Sequence, residues 1–240
     1  MNQTDETNSP LVGILGGMGP AATADFYSKL IAATPAATDQ EHLRVMIWAD
    51  PTVPDRSLAI AGEGQDPTPA LIAGAQQLAD AGVAFYVVAC NGAHAFLPRV
   101  REVVDLDYLS IIEVTAEHVS SLPHAKSAGL LATDATLQSY LYQQALSQAG
   151  VEPVVPTTED QRTVMESIYA VKSGRLHNEQ RAALAGVASR MVEAGADLIV
   201  EACTEIPLAI SDEESPRPLV DPALLLANRV VHEASARSIV

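Results

Sequence analysis

Runs of consecutive apolar residues alternate along this chain with stretches whose apolar positions recur every three to four residues. That alternation belongs to a parallel sheet covered by helices rather than to an all-α or all-β fold. The run LVGILGG at 11–17 predicts a first strand, and Pro20 opens a helix that runs to about Ala33. Proline suits the first helical position because its missing N–H would have had no partner there. A second strand, LRVMIWA at 43–49, leads into DPTVPDRS at 50–57, where Asp, Pro and Ser supply turn chemistry. The next helix is predicted from about Pro69 to Ala81, ends at Gly82, and feeds the strand VAFYVVA at 83–89.

The second half repeats this plan. VGILGGMGPAATADFY aligns with AGLLATDATLQSYLYQ at a shift of 116, pairing Gly13 with Gly129 and Leu15 with Leu131. QQLADAGVAFYVVAC aligns with SRMVEAGADLIVEAC at a shift of 113, pairing Gly82 with Gly195 and Cys90 with Cys203. Two matches in the same order, each with the same strand and helix roles, point to a duplicated unit. The expected fold is α/β, with two pseudo-symmetric halves, each a parallel sheet flanked by helices, and the active site in the cleft between them. The expected organisation is a polar tail at 1–10, a first half over 11–114 completed by 211–240, and a second half over 115–210.

At 240 residues and 48% hydrophobic the chain is long enough for substantial cores. Two cysteines are too few for a disulfide framework, the start MNQTDETNSP is neither basic nor apolar, and no apolar run approaches the roughly 20 residues of a membrane span. A cytoplasmic protein with reduced thiols is expected. The 14 basic and 30 acidic residues give a net charge of −16, which opposes nucleic acid and anionic membranes as partners. An acidic substrate would need local cations, and lysine is scarce: Lys29, Lys126 and Lys172 are all there are.

The chemistry turns on the two cysteines. Each ends an apolar run, in VVACNGAH and LIVEACTEIP, so each falls at the C-terminal end of an equivalent strand, where open α/β sheets bind ligands. Buried cysteine acting as a small hydrophobe is the bland reading of either one alone. A disulfide would need close, well-oriented α-carbons and the compartment argues against a stable bridge, while a metal site would want further Cys or His at short spacing, so no metal is expected. Acid and base work remains: one thiolate removes a proton from carbon while the opposite thiol delivers one to the other face, inverting a stereocentre. Helix N-termini following both cysteines are expected to favour the thiolate. His94 and Glu205 stand in supporting positions beside the two thiols. The segment from Gly17 to Ala22 satisfies a dinucleotide-binding pattern, but Asp39 and Glu41 precede the second strand instead of ending it, so no ribose partner is in place. The glycines there more simply let the backbone, including Met18 and Gly19, approach a substrate.

Taken in order, GILGGMGPAATADFY, VPDRS, CNGAH, LLATDAT, VMESIYAVKSG and EACTEIP resemble the cofactor-independent aspartate/glutamate racemases, most closely the aspartate racemase branch, from about Leu11 to Asp221. The resemblance implies two pseudo-symmetric α/β halves, a homodimer, no cofactor, and an amino acid as the small-molecule partner. It implies Cys90 and Cys203 as the catalytic pair, Asn91, Thr204 and Thr133 near the α-carboxylate, and Arg56 and Lys172 as cations for a second carboxylate. An arginine fork clamps a carboxylate with two parallel bonds, so that role is chemically sensible. Two positions depart from the pattern: Gly92 where threonine usually follows the Cys-Asn pair, and Asp50 where asparagine is expected. An isomerase or decarboxylase acting on another dicarboxylate, a pyridoxal enzyme using Lys172, and a two-lobed amino-acid binding module are the competing readings.

Overall fold

The computed structural model describes residues 9–238. The expected polar tail lies outside the described residues apart from Ser9 and Pro10. In chain order the first half contains β1 (Leu11–Gly16), α1 (Pro20–Ala33), β2 (Arg44–Ala49), α2 (Arg56–Ile60), α3 (Thr68–Asp80), β3 (Phe85–Val88), α4 (Leu97–Arg101), β4 (Tyr108–Leu109) and α5 (Ile111–Ser121). The second contains β5 (Ser127–Leu130), α6 (Asp134–Gln138), α7 (Leu141–Gln148), β6 (Glu152–Val154), α8 (Thr158–Lys172), α9 (Asn178–Glu193), β7 (Leu198–Val200), β8 (Leu219–Val220) and α10 (Pro222–Ser238).

Two four-stranded parallel sheets result, ordered β2-β1-β3-β4 and β6-β5-β7-β8. The same order in both is what a duplication requires, and the register follows it residue by residue. Val12, Gly13 and Ile14 pair with Phe85, Tyr86 and Val87, while Ala128, Gly129 and Leu130 pair with Leu198, Ile199 and Val200. Those are the partners that shifts of 116 and 113 demand. The strands are apolar on both faces because both faces are covered. Val12, Ile14, Phe85 and Val87 share a central core with Ala128, Leu130, Leu198 and Val200, whereas Leu15, Tyr86 and Val88 turn outward under α3, and Leu131 and Ile199 turn outward under α8 and α9.

The glycines at the matched positions are packing devices. A Cβ on Gly13 would lie 2.9 to 3.1 Å from Val83, Tyr86 and Leu78, and one on Gly129 would lie 2.7 to 3.4 Å from Ile199, Met191 and Ala196. The two sets of neighbours are themselves related by 113, so both halves keep the same close approach of helix to strand. Gly17 has a different reason: φ is +92° and a Cβ would meet the Asp50 backbone at 2.4 Å, so the turn after β1 admits only glycine.

The halves exchange their last helices. α10 packs on α1 and crosses α5, while α5 packs on α7. The expected assignment of 211–240 to the first half needs correction at β8, which pairs with β7 as the edge of the second sheet. Backbone pairing holds residues 219–220 there, and only beyond them does the chain return to the first half.

Candidate active site

Both cysteines open into one cleft between the halves. Cys90 lies two residues beyond β3 and Cys203 three beyond β7, at equivalent strand ends, and both are nearly buried. The first half also contributes Met18, Asp55, Arg56, Ser57, Asn91 and Gly92 to the walls, and the second contributes Thr133, Thr136, Lys172, Thr204 and Glu205. Nine of the eleven site residues expected from the sequence thus line a single space. The two others do not: Gly19 borders an adjacent cavity, and His94 is buried behind Cys90. Asp55, Ser57 and Thr136 were not anticipated, although Asp55 and Ser57 flank Arg56 in the quoted turn and Thr136 falls in the repeated segment.

Local structure fixes each wall. Asp55 caps α2 by accepting from the backbone N–H of Ser57 and of Leu58, which places Arg56 at the first helical position. Its guanidinium donates Nη1 to the carbonyls of Val53 and Pro54 (3.3 and 3.0 Å) and Nη2 to that of Met18 (3.2 Å). Nε is buried without a partner, so one edge of the fork is still free to donate. Asn91 is similarly poised: its Oδ1 accepts from the Tyr142 hydroxyl of the other half at 2.6 Å, while its Nδ2 is buried and unpaired. A buried donor left unpaired is costly, and a carboxylate in the cleft would relieve it. Thr133 caps α6, accepting from the Thr136 N–H, and the two hydroxyls lie 3.0 Å apart.

The surroundings of the thiols differ. Helix N-termini were expected after both; instead a single 3₁₀ turn follows each, Gly92–Ala95 and Ile206–Leu208, too short to carry a strong dipole. Cys203 donates to Glu205 Oε2 at 3.1 Å, and the Thr204 hydroxyl reaches the same oxygen at 3.4 Å. Burial, and next the Glu205 charge, push the Cys203 thiol well above its ordinary range, with Lys172 pulling the other way. Burial works against the Lys172 charge, but the Glu205 carboxylate, and after it the cysteines in their ionised form, outweigh it and raise its affinity for the proton. Gly92 stands where Glu205 stands in the other half, so Cys90 has no such carboxylate after it.

His94 is a structural residue. Its Nε2 accepts from the Ile111 N–H at 3.3 Å, which leaves Nδ1–H to donate to the Cys90 carbonyl at 3.0 Å. Burial lowers its pKa to about 4, so the ring is neutral and fixes Cys90 to the start of α5.

The two departures have physical answers. Asp50 turns away from the cleft and accepts from the Thr52 hydroxyl (2.6 Å) and N–H (2.8 Å), which hold its carboxyl below the usual range. At Gly92 a Cβ would sit 3.6 Å from Thr136 Oγ1 and 3.7 Å from Arg56 Cβ, so the position has room for a side chain, and Thr136 keeps a hydroxyl beside it.

The family model described as Asp/Glu/Hydantoin racemase matches residues 15–230. The broad specificity amino-acid racemase RacX of Bacillus subtilis strain 168 is 31% identical over 228 residues, covering 92% of this chain and 96% of its own. The structure of Picrophilus torridus aspartate racemase superimposes with a TM-score of 0.84 at 32% identity over 94% of each chain. Glutamate racemase from Francisella tularensis, in complex with D-glutamate, shares the fold at a TM-score of 0.71 and 17% identity, over 94% of this chain and 80% of that one.

Proposed function

The chain belongs to the Asp/Glu/Hydantoin racemase family and is an isomerase, an amino-acid racemase; from that premise we propose that it interconverts the enantiomers of an acidic amino acid, aspartate first and glutamate second, by proton exchange between Cys90 and Cys203 without a cofactor. The observation that carries this reading is that two thiols from equivalent strand ends line one cleft. A substrate α-carbon between them would present its hydrogen to one sulfur and the opposite face to the other.

The unpaired Nδ2 of Asn91, with the Thr133 and Thr204 hydroxyls, suits the α-carboxylate, where the negative charge of the carbanion spreads. The free edge of Arg56 and the Lys172 ammonium suit the distal carboxylate, and Glu205 or Asp55 can answer the substrate ammonium. Cys203, bonded to Glu205 and hard to ionise, rests as the thiol, which leaves Cys90 as the base of the first turnover. The α C–H bond then breaks toward Cys90, and the Cys203 S–H delivers its proton to the other face. The product leaves with the protonation of the two sulfurs interchanged. A homodimer in the cytoplasm completes the reading. Among the described residues no helix is long and apolar enough to cross a membrane.

The test is proton NMR of L-aspartate and L-glutamate in deuterated water without added cofactor. Loss of the α-proton signal, with D-isomer on chiral analysis, is expected. Cys90→Ala and Cys203→Ala should each abolish racemisation while at most one-sided exchange survives. Full racemisation by both single variants would sink the two-thiol scheme.

A further inference from the structure

The duplicated unit departs from itself at one buried hydroxyl. By the shift of 116 Tyr142 answers Phe26, and by the shift of 113 Asn91 answers Thr204. Both aromatic rings are fully buried in the central core, so the two positions differ by a single oxygen atom. That oxygen donates to Asn91 Oδ1 at 2.6 Å, from α7 of the second half to the strand end of the first. The two changes go together. Where an amide follows the cysteine, the aromatic of the opposite half carries a hydroxyl; where a threonine follows it, the corresponding aromatic is phenylalanine.

An amide has two unlike ends of nearly the same shape. Only the Nδ2 end of Asn91 can donate to a carboxylate; Oδ1 in its place would meet the substrate's charge with a partial charge of the same sign. A threonine hydroxyl such as that of Thr204 rotates to donate and has no such choice. Burial, above all, raises the Tyr142 pKa and keeps the side chain a phenol, so its O–H must find an acceptor inside the protein, and Oδ1 is the one it reaches. With Oδ1 held, Nδ2 is the end left buried and unpaired in the residue beside Cys90. We propose that Tyr142 is a positioning residue of the reaction: by holding Asn91 Oδ1 from the opposite half, it presents Nδ2 to the substrate α-carboxylate. The proposal rests on the two-thiol racemase reading, in which Asn91 receives that carboxylate.

The experiment compares the unaltered protein with Tyr142→Phe, Asn91→Thr and the double variant, which carries the pair of residues found in the other half. Phenylalanine already fills the matching slot as Phe26, so Tyr142→Phe should keep cooperative urea unfolding. Exchange of the α-proton in deuterated water gives kcat/KM for L-aspartate. NMR titration gives dissociation constants for racemic aspartate and for β-alanine, which is aspartate without its α-carboxylate. Tyr142→Phe should lower kcat/KM and weaken aspartate binding by at least about tenfold each, and leave β-alanine binding within about twofold. Added to Asn91→Thr, the same change should alter aspartate binding by less than about twofold. A single-variant effect on aspartate below about twofold would overturn the proposal. So would an equal weakening of β-alanine, or loss of the fold, either of which marks a hydroxyl that holds the halves together rather than the amide. A penalty that persists undiminished with threonine at 91 would overturn it as well. Absence of exchange in the unaltered protein would remove the racemase reading and the positioning role with it.

Discussion

Replacing Glu201 by glutamine isolates a charge that the fold buries at a cost. Glu201 directly follows β7 and is 4% exposed; the matching residue of the first half is Val88, which is fully buried. Burial, and next the charge of Asp221, raise the Glu201 carboxyl from 4.5 to about 8; Asp212 and Asp25 add to the rise and Lys29 opposes it. Lys29 cannot compensate fully because it is already shared between Asp25 and Asp221. A folded-state pKa above the unfolded one means that stability is complete below 4.5 and is lost as pH rises through 8. At about 1.4 kcal/mol per unit, the loss is about 1 kcal/mol at pH 5 and about 4 kcal/mol at pH 8. Glutamine keeps the shape and cannot ionise, and any change it makes in hydrogen bonding is nearly independent of pH. Urea unfolding of both proteins at pH 5 and pH 8, at one ionic strength and one protein concentration, should therefore show the advantage of Glu201→Gln growing by about 3 kcal/mol. A gap that changes by less than about 1 kcal/mol would mean that Glu201 ionises in the folded protein much as it does in water, and would refute the argument.

His94 acts in the opposite sense: with its pKa held near 4, its contribution is present above the usual histidine range and is lost as pH falls. In urea unfolding, His94→Gln should shrink the stability lost between pH 7 and pH 5 by about 2 kcal/mol. Gly129→Ala places a Cβ 2.7 Å from Ile199 Cδ1 and 3.2 Å from Met191 Cε, and should cost about 1–3 kcal/mol in urea unfolding, with Gly13→Ala giving a similar loss. Gly92→Thr meets nothing closer than 3.6 Å at its Cβ, so thermal melting should be nearly unchanged. The added bulk in the cleft should raise the kcat/KM preference for aspartate over glutamate by about tenfold.

What could be read from the chain is what the duplicated unit dictates locally. The strand runs, the glycine approach at Gly13 and Gly129, and the two cysteine ends all recur in sequence, and their register follows once both faces of each sheet must be covered. β8 was missed because two residues carry no periodicity and follow a polar stretch at 211–218. The bond from Tyr142 to Asn91 joins residues 51 apart in different halves, and nothing local announces it.

The departures from symmetry were visible as letters but not as physics. Gly92 answers Glu205, Val88 answers Glu201, and only contact with Cys203 or burial behind it gives those carboxylates a consequence. That consequence has a thermodynamic bound. Enantiomers have equal free energy in water, so for a racemase kcat/KM must be the same in both directions, however unlike the two thiols are. Glu205 therefore cannot favour one enantiomer in kcat/KM. In the proposed two-thiol exchange, its contact with Cys203 alone can only redistribute kcat and KM between directions, so unequal kcat values matched by equally unequal KM values are the expected result.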